Sequence, residues 1–245
     1  MNFLKTKSKT KAKENFIMRG DIVYFFTHKF SIDLNLDLLN YSDILTHCKT
    51  IIFDKNYDNI KIGHLPINIE NIIFNDESQY NRSIDNYPFN LKKIKFGNCF
   101  SQPLDNLPSS LEELEFASDS EFNCPINDLP NLIKKIVFGK YFNMLLNNLP
   151  PNLEYLSILS NCYSHELKNL PLNLKYLYFY DEPDYYCCKE IKLFPNKLIE
   201  IRFPFNYSFE IKNLPESVEI IRISYKYLFA NELRSNYPEK KIIIY

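Results

Sequence analysis

FNCPINDLPNLIKKIVF, residues 122–138, decides how the rest of the chain is read. Its Cys, Asp and two prolines suggest a chemical site, but a scaffold unit would recur, and this stretch does. With Pro130 as the zero point, Ile133, Ile136 and Phe138 stand at offsets +3, +6 and +8. The same triplet follows Pro66 (Ile69, Ile72, Phe74), Pro88 (Leu91, Ile94, Phe96) and Pro108 (Leu111, Leu114, Phe116). It returns after Pro150 (Leu153, Leu156, Ile158), Pro171 (Leu174, Leu177, Phe179), Pro195 (Leu198, Ile201, Phe203) and Pro215 (Val218, Ile221, Ile223). Cys48, Ile51 and Phe53 form an earlier copy without the proline, and a worn copy follows Pro238. Successive prolines lie 22, 20, 22, 20, 21, 24, 20 and 23 residues apart.

The upstream half repeats too. Offset -1 is mostly Leu, offset -4 is Ile or Leu, and offset -8 is aromatic at Tyr80, Phe100, Phe122, Phe142, Tyr163 and Tyr207. A tandem array of about nine units follows, each one supersecondary element. Alternation at +6 and +8 predicts a short strand with one buried face. Proline, which fixes φ and lacks an N–H, belongs in the corner before that strand. The remaining residues are too few for a helix with two turns, so extended or single-turn outer segments are expected. One unit buries too little apolar surface to offset its ordering entropy, so neighbours must stack into a solenoid.

Two further columns fit in-register stacking. Asx residues at -2 (Asn86, Asn106, Asp128, Asn148, Asn169, Asn213, Asn236) are expected to bond turn backbone and the adjacent rung. Offset +4 alternates in charge: Glu70, Lys92, Glu112, Lys134, Glu154, Lys175. Parallel strands put equivalent residues about 4.8 Å apart, where opposite charges are favoured over like ones.

The unit F-N-x-P-[IL]-x-x-L-P-x-x-L-x-x-L-x-F resembles the FNIP repeat, a leucine-rich-repeat-like module abundant in social amoebae and giant DNA viruses. FNCPINDLPNLIKKIVF is the best copy and FSQPLDNLPSSLEELEF, from residue 100, is nearly as good. The resemblance spans 45–238, although the -5 proline survives only at Pro103 and Pro125 and the 172–195 unit is enlarged. It implies a β-rich repeat solenoid: a leucine-rich-repeat-like stack of about nine 20–24-residue units with one parallel sheet. It also implies protein–protein contact as the use, with no catalytic residues to carry over. The expected division is a basic, disordered tail over 1–20, a short α-helical or mixed N-terminal cap over 21–44, and the solenoid over 45–245. Some relatives carry an F-box ahead of the repeats. Residues 21–48 are long enough for a degenerate one, with Asp33 or Ser42 as helix caps, but lack a Leu-Pro opener.

Composition narrows the function classes. The chain has 245 residues, a formal net charge of -1 and 45% hydrophobic residues. Near-neutrality argues against a dedicated nucleic-acid binder. No apolar run approaches the roughly 18–20 residues that cross a bilayer, and the lysine-rich start has no secretory apolar core. An intracellular (cytoplasmic or nuclear) protein with free thiols is therefore expected. Cys99 and Cys162 share offset -9 three rungs apart, beyond disulfide reach. The vicinal Cys187–Cys188 pair lacks the further ligands zinc wants. Scattered histidines (28, 47, 64, 165) and four glycines leave no triad and no phosphate loop. No catalytic, cofactor or metal residues are assigned, and no enzyme is expected.

The outward strand positions, +5, +7 and +9, carry the functional expectation. Early units place Lys, Glu, Asn and Ile there, whereas the later ones present Tyr155, Leu159, Tyr176, Tyr178 and Tyr180. Such an aromatic patch, with few basic residues around it, points to a protein partner gripped on the strand face. The loop DEPDYYCCKE, 181–190, folding back over the patch is the structural alternative. Two other functional classes are open: a ubiquitin-ligase substrate adaptor docked through 21–48, favoured by a three-helix fold at 15–48, and a redox or metal protein using Cys187 and Cys188.

Overall fold

The computed structural model describes residues 16–25, 47–55, 57, 62, 65–180 and 189–245. Its centre is a parallel ladder in which every repeat contributes one strand at +5 to +8. The strands are β3 (Thr50–Phe53), β4 (Asn71–Phe74), β5 (Lys93–Phe96), β6 (Glu113–Phe116), β7 (Lys135–Phe138), β8 (Tyr155–Ile158), β9 (Tyr176–Phe179), β10 (Glu200–Arg202) and β11 (Ile220–Ile223). Each pairs with the next in strict register, as in Lys135↔Tyr155↔Tyr176↔Glu200. The solenoid expected from the offsets is the fold.

Register makes the spine. Residues at +3, +6 and +8 are almost fully buried from Cys48, Ile51 and Phe53 through to Ile223. The +8 aromatic of one unit stacks on the -8 aromatic of the next: Phe96 on Phe100 and Phe138 on Phe142, both with ring centroids at 3.8 Å. Each column also runs between units, with Phe116 6.0 Å from Phe138 and Phe122 6.2 Å from Phe142. Offset stacking at these separations adds to simple area burial.

The charge column behaves as expected and begins one unit earlier. Glu70 takes Lys49 and Lys92, Glu112 takes Lys134, and Glu154 takes Lys175. The -2 Asx column does not join the rungs: all seven residues are exposed. Asn106 and Asn213 there adopt left-handed φ values of 58° and 55°, which Asn tolerates. Cross-rung side-chain bonding runs instead through +2, where Asn90, Ser110, Asn152 and Asn173 donate to carbonyls of the previous unit. A second ladder uses -7, the Asn of F-N-x-P. Asn123 Oδ1 accepts the Asn143 N–H at 2.8 Å, and Asn143 Oδ1 accepts the Ser164 N–H at 3.0 Å.

The N-terminus departs from expectation. Residues 16–25 are neither disordered tail nor helix. They form an antiparallel hairpin, β1 (Phe16–Arg19) and β2 (Ile22–Phe25), and β2 joins β3 in parallel. Gly20, at φ 63°, supplies the left-handed turn residue a two-residue hairpin needs. Alternation is the physical reason: Val23 falls in the spine column beside Ile51. Within the segment 15–48, residues 16–19 and 22–25 are therefore strand rather than helix. The remainder of the tail (1–15) and most of the cap (26–44) lie outside the described residues.

At the other end, Pro238 leads into β12 (Lys241–Ile244), parallel to β11. The outer segment of this last unit is a short helix, α1 (Ala230–Asn236), whose Leu233 is buried against the spine. Among the described residues, the other outer segments are turns and extended chain, in keeping with the residue count.

Candidate partner-binding face

One face of the sheet carries the spine, and the other presents the +5 and +7 side chains. These are half-buried in nearly every strand, because neighbours 20–24 residues away flank them on both sides. The early part of this face is an ionic network. Lys93 bonds Glu113 and Glu115, each at 2.8 Å, and Lys135 bonds Glu115 at 2.8 Å. These charges are already paired, which suits a solvated surface more than an anchor.

The character changes at β8 and β9. Register sets Tyr155 beside Tyr176, with centroids 6.1 Å apart. Tyr155 also meets Tyr178 edge-on at 5.3 Å and 67°, and Tyr176 lies 6.4 Å from Tyr178. Ser157, directly paired with Tyr178, is small enough to permit the diagonal contact and is itself buried. The structure thus brings three of the five sequence-derived candidates into one cluster.

Leu159 and Tyr180 belong to a different row. Both sit at +9, just beyond the strands, and both are half-buried. In several other units +9 is buried, as at Gly97, Ala117 and Gly139, while Asn75 at the same offset is exposed. A Cβ on Gly139 would lie 2.4 Å from the Ala117 carbonyl oxygen and 2.7 Å from Ser120 Cβ. The expectation that +9 shares the face of +5 and +7 therefore does not hold in those units. The strand ends at +8 and the backbone turns inward to start the next segment.

Basic residues also flank the tyrosines, contrary to expectation. Lys135 Nζ lies 5.4 Å from the Tyr155 ring centroid, and the Arg202 guanidinium lies 5.8 Å from that of Tyr178 and 5.6 Å from that of Tyr245. Both are within cation–π range. Glu200, almost buried, anchors Arg222 and sits beside Tyr178. Burial pushes the Tyr178 hydroxyl well above the ordinary phenol value, with the Glu200 charge and hydrogen bond adding to it. Burial likewise raises Tyr155, against the opposing pull of Lys135. Neutral phenols framed by tethered cations make a rigid, amphipathic surface, suited to recognition rather than proton transfer. Arg202 and Arg222 occupy +7 of the next two units, so extending the outward columns past Tyr178 would have exposed them.

The remaining candidates do not gather. Cys48, Cys99, Cys124 and Cys162 are free thiols in separate rungs. Cys124 Sγ donates to the Ser101 carbonyl, a packing role. Cys187, Cys188 and loop residues 181–188 lie outside the described residues. Among the described residues, no group of three or more His, Cys, Asp or Glu side chains is placed to hold a metal ion. Nor is any helix there long and apolar enough to cross a membrane.

Residues 80–119 and 122–161 match the FNIP Repeat family. Among solved structures, CroV588 from a giant virus, described as a novel circular LRR protein, superposes with a TM-score of 0.71 at 26% identity. That alignment takes in 87% of this chain but 32% of CroV588, so the chain spans about a third of that protein's length. YopM from Yersinia enterocolitica WA-314 aligns at 18% identity over 72% of this chain and 57% of its own, with a TM-score of 0.23, too loose to bear on the fold. No curated protein matches the chain.

Proposed function

We propose that this chain, two stretches of which match the FNIP Repeat and which superposes on a circular LRR protein, is a non-enzymatic scaffold. It holds a protein partner on the open face of its sheet, inside the cell. The observation that carries this reading is the mutual contact of Tyr155, Tyr176 and Tyr178 on that face. Aromatic anchors preassembled in a regular sheet lose little entropy on binding, which is what a binding hot spot needs. The Lys135 and Arg202 frame adds a polar rim that steers orientation. Leu159 and Tyr180 extend the surface at the strand ends. Capture from lysate with wild type and with Tyr176→Ser/Tyr178→Ser tests the proposal. The double variant should lose a partner that wild type recovers, while keeping its melting temperature within a few degrees. Equal recovery by both proteins refutes this face.

A further inference from the structure

The strand rows place unlike charges side by side. Lys93, Glu113 and Lys135 alternate in register at +5, and Lys95 faces Glu115 at +7. The +4 column alternates in the same way. The exception lies on β10 and β11, where Arg202 and Arg222 are paired directly at +7. Parallel strands hold such partners about 4.8 Å apart, and like charges there cost stability. Glu200, almost buried, bonds Arg222. Arg202 lies between the rings of Tyr178 and Tyr245, and the Tyr245 hydroxyl fixes its own ring by donating to the Phe203 carbonyl at 2.6 Å. Lys241 is in register with Glu200 and Ile220, so the outward strand positions of β10–β12 hold three cations against one carboxylate. A local conflict of this kind, in a chain that otherwise alternates its strand charges, is where a functional position is expected.

We propose that this end of the strand face binds an extended, acidic segment of a partner protein, seating an apolar side chain on the tyrosines and a carboxylate over Arg202 and Arg222. The acidic partner presupposes the strand-face function proposed above and gives it a chemistry. Guanidinium groups match carboxylates in planar, two-bond geometry, and the flanking rings leave Arg202 little freedom to lose. Spacing sets the motif. Tyr176 and Tyr178 lie on β9, and the arginine pair is centred between β10 and β11, about 7 Å further across the sheet. An extended chain crossing the strands advances that far in two residues and returns to the same face. The recognised sequence is therefore an apolar residue, any residue, then Asp or Glu, or the reverse order. A polynucleotide would want a run of cations along its path, whereas Lys135, the cation beyond the tyrosines, is bonded to Glu115.

Random-peptide display selected on the full chain should enrich that motif, and fluorescence anisotropy of an enriched peptide then measures its affinity. Replacing the peptide's acid by the amide, or Arg202→Gln in the protein, should each weaken binding by about tenfold to a hundredfold. Combined, the two changes should cost little more than either alone, because both remove one contact. Arg202→Gln should keep or raise the melting temperature, since it removes the like-charge pair, so that lost binding is not lost folding. The Tyr176→Ser/Tyr178→Ser variant should lose the peptide as well. Normal peptide binding by that double variant would overturn the face and the acidic partner together. If it fails to bind while Arg202→Gln and the amide peptide bind as the originals do, the face stands and the acidic partner is overturned. Enrichment of basic or uncharged motifs, or tighter binding of oligo(dT) than of the acidic peptide, overturns it too.

Discussion

Replacing Phe138 with Ala should destabilise the protein by about 3–5 kcal/mol, the range for truncating a fully buried aromatic residue. Phe138 has no exposed surface, stacks on Phe142 at 3.8 Å and continues the column from Phe116. Relaxation around the cavity is restricted, because the flanking strands β6 and β8 are held by the parallel ladder and by the -7 Asn bonds. The loss therefore belongs in the upper half of that range. A double-mutant cycle with Phe142→Ala should return a coupling of about 0.5–1.5 kcal/mol for the stacked pair. Phe89→Ala is the control: Phe89 is 71% exposed, and its truncation should stay within about 0.5 kcal/mol of wild type. Urea denaturation followed by circular dichroism measures all three. A Phe138→Ala loss under about 1 kcal/mol, or one equal to that of Phe89→Ala, would refute the aromatic spine as the source of stability.

Gly139→Ala should lower stability by about 1–3 kcal/mol, since the new Cβ meets the Ala117 carbonyl and Ser120 in a closely packed corner. Thermal melts showing no change would mean the corner has room. Asn143→Ala removes the acceptor for both the N–H and the Oγ of Ser164, and should cost about 1–2 kcal/mol by chemical denaturation, where Asn148→Ala, in the exposed -2 column, should be near neutral. Hydrogen bonds from Lys49 and Lys92 hold the Glu70 carboxyl at about 2, below its ordinary 4.5. A depressed pKa gives stability that is present above about pH 4.5 and lost as pH falls toward 2, so the melting-temperature gap between wild type and Glu70→Gln should close across that window. A gap that persists at pH 2 would contradict the bridge.

The solenoid was legible because its spine positions recur with one chemistry. Leu, Ile, Val or Phe at +3, +6 and +8 is readable in eight copies, and in-register stacking follows from that alone. The charge column was legible for the same reason. What escaped notice occurs once or mixes chemistries. The β1–β2 hairpin has no second copy, and Gly20 is its one local cue beside a lysine-rich run. The +2 ladder uses Asn, Ser and, at Lys240, an ammonium group, all donors to a carbonyl but different letters. The inward turn at +9 shows itself through small residues in three units, whereas Leu159 and Tyr180 disguise it. The tyrosine cluster was readable as a column, but its diagonal contact depends on Ser157 being small, and its cations come from units on either side.

The proposed binding face is tested most directly by hydroxyl-radical footprinting of tyrosines, with and without the protein recovered by capture. The account predicts that Tyr155, Tyr176 and Tyr178 lose reactivity in the complex, while Tyr141 and Tyr225, exposed away from that face, react as before. Unchanged reactivity of the three, with protection appearing elsewhere on the solenoid, would contradict it.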